Sequence, residues 1–493
     1  MTLQSLSKLI KSLSGPEKRH FKLKAQMQSG DKDYLDLFEI MERTPANETD
    51  DVREKFKKSH PRSSLNNTAR YLMRLLTDDL IDLKSEKDNF FHLLQEVKRV
   101  KILQERSLTE EGYRLLIKVR EEARQSQQHL IQYLTYREEL NYLSDSGFSV
   151  LDDKALISTQ MQAKEILRLL DNIHDHHSLY ELLRYRLVRT GKVASEEEKR
   201  RMNDLVLTEM VLVGGKSRNS FATRKLHLLF QSHFLTNVGD YNSALKTFDA
   251  LDKLFEEHPG LLDKPPLDYL SALDGILDSL HTLNRYDEID RYIDRLSLLD
   301  RPEYPESFRF RVRKTSAIYR FAILTGSGRF SEAVGYMKSI EEETIEMYPM
   351  LDEEKQWELY FYMTLALYGN RETKKAHASV RNALQKHRLA PHLPICKAIR
   401  LLNIILHYEQ GDQEFLGYET RSYKRFFHKQ HLLGTEKLIL RHVSTWPDHR
   451  RKSVPQAHRE RLKRDIEAVQ SDKYEKQLLK YFDFADWIGR RLG

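Results

Sequence analysis

The stretch "NVGDYNSALKTFDALDKLF", residues 237–255, decides how this chain is read. Gly239-Asp240-Tyr241 forms a turn, and Ala244, Phe248 and Leu251 then recur at the 3–4 spacing of one helix face. The same cadence returns in "LNRYDEIDRYIDRL", "GSGRFSEAVGYMKSI", "GNRETKKAHASVRNAL" and "EQGDQEFLGYETRSY". Aligned on the residue after the turn, the positions are Ala244, Ile289, Ala333, Ala376 and Leu416, spaced 45, 44, 43 and 40 apart. Four residues on stand Phe248, Ile293, Met337, Val380 and Thr420, and proline closes several units, at Pro259, Pro302, Pro349 and Pro391.

Helical hairpins explain the pattern. The second helix must approach the first closely, so a small residue is favoured at the crossing. An aromatic before it (Tyr241, Tyr286, Phe330) fills the hairpin, and Gly or Asn in the turn supplies the unusual backbone angle. Gly239-Asp240-Tyr241 with Ala244 and Phe248 resembles the turn and second helix of the tetratricopeptide family, over roughly residues 225–425. The period exceeds that family's usual value of about 34 residues and falls in the range of about 40–47 seen in HEAT repeats. Ile289 and Leu416 replace the small residue, so those hairpins should open wider. Counting backwards predicts degenerate units near residue 112, with Gly112, Leu116 and Val119, and near residue 200, so that the array starts around residue 90.

The expected fold is therefore all-α: a tetratricopeptide-like, right-handed α-solenoid with a helical N-terminal domain and a helical C-terminal cap. The expected boundaries are 1–87, 88–215 (degenerate repeats), 216–430 (clear repeats) and 431–493. Composition agrees. Of 493 residues, 31% are charged and 40% hydrophobic, while Gly (19) and Pro (13) are scarce and alternating strand patterns are few. A single cysteine, Cys396, excludes an intramolecular disulfide framework and a cysteine zinc ribbon. No secretory signal or membrane-length apolar run is visible, so a cytoplasmic location is expected. The net charge of +7 is local: residues 421–493 carry 18 Lys and Arg against 9 Asp and Glu.

The two ends read differently. Ser14 with Pro16 and Glu17 starts a helix. A short helix, Pro61 and a longer helix bearing Asn66, Asn67, Arg70 and Arg74 fit either a helix-turn-helix or a cap sealing the first repeat. "LIKSLSGPEKRHFKL" and "KYFDFADWIGRRL" resemble a family of cytoplasmic tetratricopeptide-like proteins of Bacteroidota that brings no known activity with it. Near the C-terminus Arg450, Arg451, Lys452, Arg459, Arg461, Lys463 and Arg464 form a basic patch. It suits nucleic acid or an acidic partner, or is a solvated helix with Glu460–Arg464 and Lys463–Glu467 pairs. The final helix, with Tyr474, Leu478, Tyr481, Phe482, Ala485 and Ile488 on one face, is expected to close the last repeat.

Catalytic motifs are not found. Gly215-Lys216-Ser217 matches the end of a phosphate loop, but the required earlier glycine is Met210. His174, Asp175, His176 and His177 lack a metal-binding framework and read as a turn, with Asp175 or Ser178 capping the next helix. No Ser-His-Asp, dinucleotide or CxxC signature is present, so neither cofactor nor metal is implied. In a solenoid, function sits on the groove lined by the first helix of each hairpin. Counting back from the small residue places His233, Asn237, Asp274, Asp278, His281 and Tyr368 there. The expected function is a non-catalytic scaffold for a protein or peptide, without membrane insertion. The alternatives are a ligand-sensing regulator whose N-terminal helices bind DNA, and an enzyme with a site of scattered residues.

Overall fold

The computed structural model describes residues 3–27, 32–45, 48–145, 152–214, 220–340, 351–386, 390–428, 430–445 and 456–490. Among them all regular structure is helical. The chain opens with α1 (Leu3–Ser12), α2 (Gly15–Met27), α3 (Asp33–Arg43), α4 (Thr49–Ser59) and α5 (Leu65–Lys87). These share a core of Leu6, Ile10, Phe38, Met41, Phe56, Leu72 and Leu76. At the start of α2 the Ser14 amide donates to Glu17 Oε2 (2.7 Å) and the Glu17 amide to Ser14 Oγ (3.4 Å), a reciprocal cap.

Three helices of equal length follow: α6 (Asn89–Glu105), α7 (Thr109–Gln125) and α8 (His129–Asp145). The long α9 (Asp153–Thr190) corrects the sequence reading at His174–His177. No turn forms there, because neither Gly nor Pro interrupts the segment and its apolar spacing continues through. After α10 (Glu196–Arg200) and α11 (Asn203–Gly214) come pairs joined by short turns. They are α12 (Phe221–Asn237) with α13 (Tyr241–Glu257), α14 (Leu267–Thr282) with α15 (Ile289–Ser297), and α16 (Glu306–Gly326) with α17 (Phe330–Ser339). The series continues with α18 (Glu353–Gly369) and α19 (Thr373–Lys386), then α20 (Pro394–Gln410) and α21 (Gln413–Phe426). The chain then runs through α22 (Gly434–Thr445), α23 (Gln456–Ser471), α24 (Lys476–Leu479) and α25 (Phe484–Gly489).

One turn recurs through the pairs. Gly239, Asn284, Gly328, Arg371 and Gly411 all have left-handed backbone angles, each five residues before the aligned position of its unit. At each, the next amide donates back to a carbonyl of the preceding helix: Asp240 to Leu235 (3.0 Å), Arg285 to Leu280 (2.9 Å), Arg329 to Leu324 (2.7 Å), Glu372 to Leu367 (2.9 Å) and Asp412 to His407 (3.1 Å). This is the six-to-one bond of a helix C-terminal motif, which satisfies carbonyls the helix itself leaves open. Ser107 and Gln127 repeat it at the ends of α6 and α7, with Leu108 donating to Leu103 and Gln128 to Ala123. Asp240 also caps α13, accepting from the Ser243 amide at 3.1 Å. The aligned Ala244, Ile289, Ala333, Ala376 and Leu416 are all buried, as are Leu116 and Val119 of the earlier unit.

The small residues and aromatics set how closely helices approach. A Cβ on Gly275 would fall inside the Phe248 ring, one on Gly369 inside the Phe330 ring, and one on Gly326 would lie 2.8 Å from Tyr286 Oη. The aromatics of one unit thus pack on helices of the next. As a result α12, α14, α16, α18 and α20 contact one another in sequence and form a layer, with the second helix of each pair packed behind.

Gly239 has a further neighbour: a Cβ there would stand 3.1 Å from the Lys473 carbonyl oxygen, whereas one on Gly328 would meet nothing within 4 Å. Gly328→Ala should cost only the left-handed strain, about 1–2 kcal/mol, and Gly239→Ala measurably more in denaturant unfolding. Equal losses would mean that the Lys473 approach carries no energy.

Candidate functional site

The layer of first helices presents acidic and aromatic side chains on one side, and the C-terminal segment lies against them. Helix α24 packs on α14 and α20, while α25 packs on α22 and α23. The segment does more than close the last hairpin. Lys473 Nζ and Tyr474 Oη donate to Glu196 Oε1 (2.6 and 2.8 Å), and Gln477 Nε2 donates to the Val193 carbonyl (3.2 Å). Glu475 accepts from the amides of Gly434 (2.5 Å) and Thr435 (2.9 Å), capping α22. The expected single final helix is instead two short ones, since Asp483 caps α25 by accepting from the Asp486 amide at 2.8 Å. Its apolar pattern showed that a face is buried but not which surface covers it.

At the centre stands a buried charge cluster. Lys480 Nζ donates to Asp278 Oδ1 at 2.5 Å with its side chain 2% exposed. Lys355 Nζ donates to Asp274 Oδ1 (2.8 Å) and to Glu358 Oε2 (3.0 Å). Tyr319 Oη donates to Asp274 Oδ1 (2.8 Å), and Tyr481 Oη to Glu358 Oε1 (3.3 Å). The Lys480 ammonium also lies 4.6 Å from the Tyr481 ring centre. Burial alone would raise the Asp278 carboxyl, but Lys480 and Lys192 outweigh it and hold Asp278 well below the carboxylate range. Burial would likewise lower Lys355, yet Asp274 and Glu358 raise it well above lysine's ordinary value. Glu358 is pushed up, chiefly by burial.

The residues expected in the groove divide between two cavities. His233, Asn237, Asp274 and Asp278 line one cavity of about 280 Å³. His281 and Tyr368 line another of about 1140 Å³, and Lys480 borders both. Their roles differ from the sequence picture. Asp274 and Asp278 are matched to lysines of this chain, and Asn237 donates to the His233 carbonyl at 2.7 Å. Tyr368 Oη donates to Glu409 Oε1 (2.9 Å), which also accepts from Trp487 Nε1 (3.0 Å). His281 sits among the rings of Tyr286, Tyr319 and Tyr362, with centroids 6.1 to 6.5 Å away.

Burial, with a smaller contribution from Lys480, lowers His281 from 6.5 to about 4. Above about pH 6.5 the imidazole is neutral in both folded and unfolded chains. Between about 6.5 and 4 only the unfolded chain takes up the proton, so this group makes stability fall as pH falls, by a few kcal/mol at most. His281→Phe should flatten the pH dependence of unfolding free energy across that window by up to about one proton. An unchanged slope would show that His281 does not supply it.

Lys192, Tyr319, Lys355, Glu358 and Lys480 were not singled out in the sequence. A lysine within an apolar helical face, as at Lys480, was the available signal; Lys355 and Glu358 look like an ordinary i,i+3 surface pair. In the basic patch, Arg461, Lys463 and Arg464 are exposed on α23 and Arg459 is partly buried. Arg450, Arg451 and Lys452 lie outside the described residues, as do Gly215, Lys216 and Ser217. The expected Glu460–Arg464 pair is replaced by an Arg464 contact to the Glu460 carbonyl at 3.4 Å. Asn66, Asn67, Arg70 and Arg74 are exposed along α5. Cys396 is buried, which pushes its thiol up to about 12. No described helix is long and apolar enough to cross a membrane.

No protein-family model matches the chain, and no curated protein is significantly similar to it.

Proposed function

We propose that the chain is a non-catalytic scaffold, an α-solenoid of tetratricopeptide-like hairpins that holds a peptide or protein segment against its first helices. The recurring turn and the two-layer packing support the repeat reading. The observation that carries the function is the cavity of about 1140 Å³ on that layer, lined by Tyr286, Phe330, Tyr368, Phe482 and Trp487 with Glu409 among them. Ordinary small-molecule pockets reach about 1,000 Å³, so this space suits several side chains of an extended segment. Residues 479–483 of the chain form part of its wall.

Asp274 and Asp278 are poor targets for a test, because replacing them unpairs Lys355 and Lys480. Tyr368 and Phe482, whose rings meet edge to face at 6.5 Å, border the open space and are only partly buried. Peptide-display selection against the full chain should enrich a defined motif. Tyr368→Ala combined with Phe482→Ala should weaken its binding about 10- to 100-fold while leaving the unfolding transition in place. A selection without a motif, or binding indifferent to both substitutions, would count against the reading.

A further inference from the structure

The smaller cavity, of about 280 Å³, lies between the end of α9 and the acidic faces of α14 and α18. Its lining carries both signs. Arg184, Lys192, Lys355 and Lys480 line it with His233 of α12 and the carboxylates of Asp274, Asp278, Glu354 and Glu358. Much of that charge is matched within the protein: Asp274 and Glu358 by Lys355, and Asp278 by Lys480. With those pairs set aside, three ionic groups lining the cavity, Arg184, Lys192 and Glu354, form no direct ion pair among the described residues. Lys192 is partly buried and feels Asp278, Glu354 and Glu358 without a direct ion pair, and Arg184 lies over the Tyr180 ring at 5.9 Å. Glu354, also in the lining, acts on Lys192 and Lys355 only at longer range. The His233 Nε2 atom is buried and also lacks a hydrogen-bond partner.

Groups of opposite sign that line one cavity without pairing directly suit a ligand that carries both signs. A simple anion would satisfy Lys192 but bring its charge towards Glu354, Asp274 and Asp278; a simple cation would meet the reverse difficulty. The volume is near the lower end of small-ligand pockets, about 300 Å³. We propose that this cavity binds a small zwitterion, an α-amino acid or a short peptide, with its carboxylate towards Lys192 and Arg184 and its ammonium towards Glu354. Burial and the neighbouring Lys480 lower the Lys192 ammonium from its ordinary value, so an incoming carboxylate also relieves that penalty. The site is independent of the peptide-binding reading, which uses the larger cavity on the other side of Lys480.

The test uses the purified full chain, with calorimetry and thermal unfolding in millimolar probe. The probes are the common L-amino acids taken singly and glycylglycine, with sodium acetate and methylammonium chloride as single-charge controls. At least one zwitterion should bind saturably and raise Tm where the controls do not. The preference between free amino acids and glycylglycine identifies the class. Lys192→Met and Glu354→Gln should each weaken binding about tenfold or more. Glu354 is partly exposed and makes no direct ion pair, so Glu354→Gln should fold even where Lys192→Met does not, and its binding then decides the matter. Zwitterions no better than acetate, or binding that survives the substitutions, would overturn the assignment.

Discussion

A chain lacking residues 472–493 is expected to lose cooperative folding of the helices from α12 onward. The deleted segment buries Tyr474, Leu478, Tyr481, Phe484, Trp487 and Ile488, all in the same core cluster as Phe310, Phe361, Ile399 and Ile439. At about 1.5–3 kcal/mol for each large apolar side chain, the loss is on the order of 10 kcal/mol, comparable to the whole stability of a domain. Deletion also leaves Asp278 without the lysine that neutralises it and α22 without its Glu475 cap. Thermal unfolding followed by circular dichroism should show a broad or absent main transition, with added fluorescence from a dye that binds exposed apolar surface. A truncated chain that unfolds at the full chain's midpoint would contradict the assignment of residues 472–490 to the core.

Lys480→Met is expected to produce the largest effect of a single substitution. Methionine keeps much of the volume but removes the cation, leaving the partly buried Asp278 beside Asp274 and Glu358 with only Lys355 and Lys192 nearby. Breaking a buried ion pair by removing one partner costs about 3–5 kcal/mol, whereas removing both charges costs far less. Lys480→Met with Asp278→Asn should therefore recover a large part of the loss. Denaturant unfolding of the two single variants and the double variant measures the coupling directly. Additive losses would show that Asp278 and Lys480 do not act as a pair. Lys480 also borders both cavities, so the unpaired variant should perturb ligand binding in each.

The hairpins were legible because the signals are local. A left-handed turn residue, a small or apolar residue five positions later and an apolar residue four beyond that lie within one turn and one helix. Their spacing therefore registers each unit without tertiary information. Even Arg371, which carries no glycine signal, occupies the turn because the neighbouring units' register places it there. His174–His177 continue a helix where a turn is expected, because histidine and aspartate permit both and only the continuous packing of α9 chooses. The groove residues were placed by counting from one turn to the next, and they line two cavities that Lys480 borders. Their partners were hidden, because Asp278 and Lys480 are 202 residues apart and Asp274 and Lys355 are 81 apart.

The sequence by itself determined the helical content of the described residues and the position of the hairpin turns. Each follows from backbone propensity and helical periodicity acting over a few residues. The tertiary structure decided what each helix meets. "NVGDYNSALKTF" shows the division in one motif: the left-handed Gly239 and the capping Asp240 are local necessities. That Gly239 also lies beneath the Lys473 carbonyl is not written in its own neighbourhood. Long-range pairing depends on where the accumulated path of many helices brings two distant segments together, and no short window of sequence carries that information.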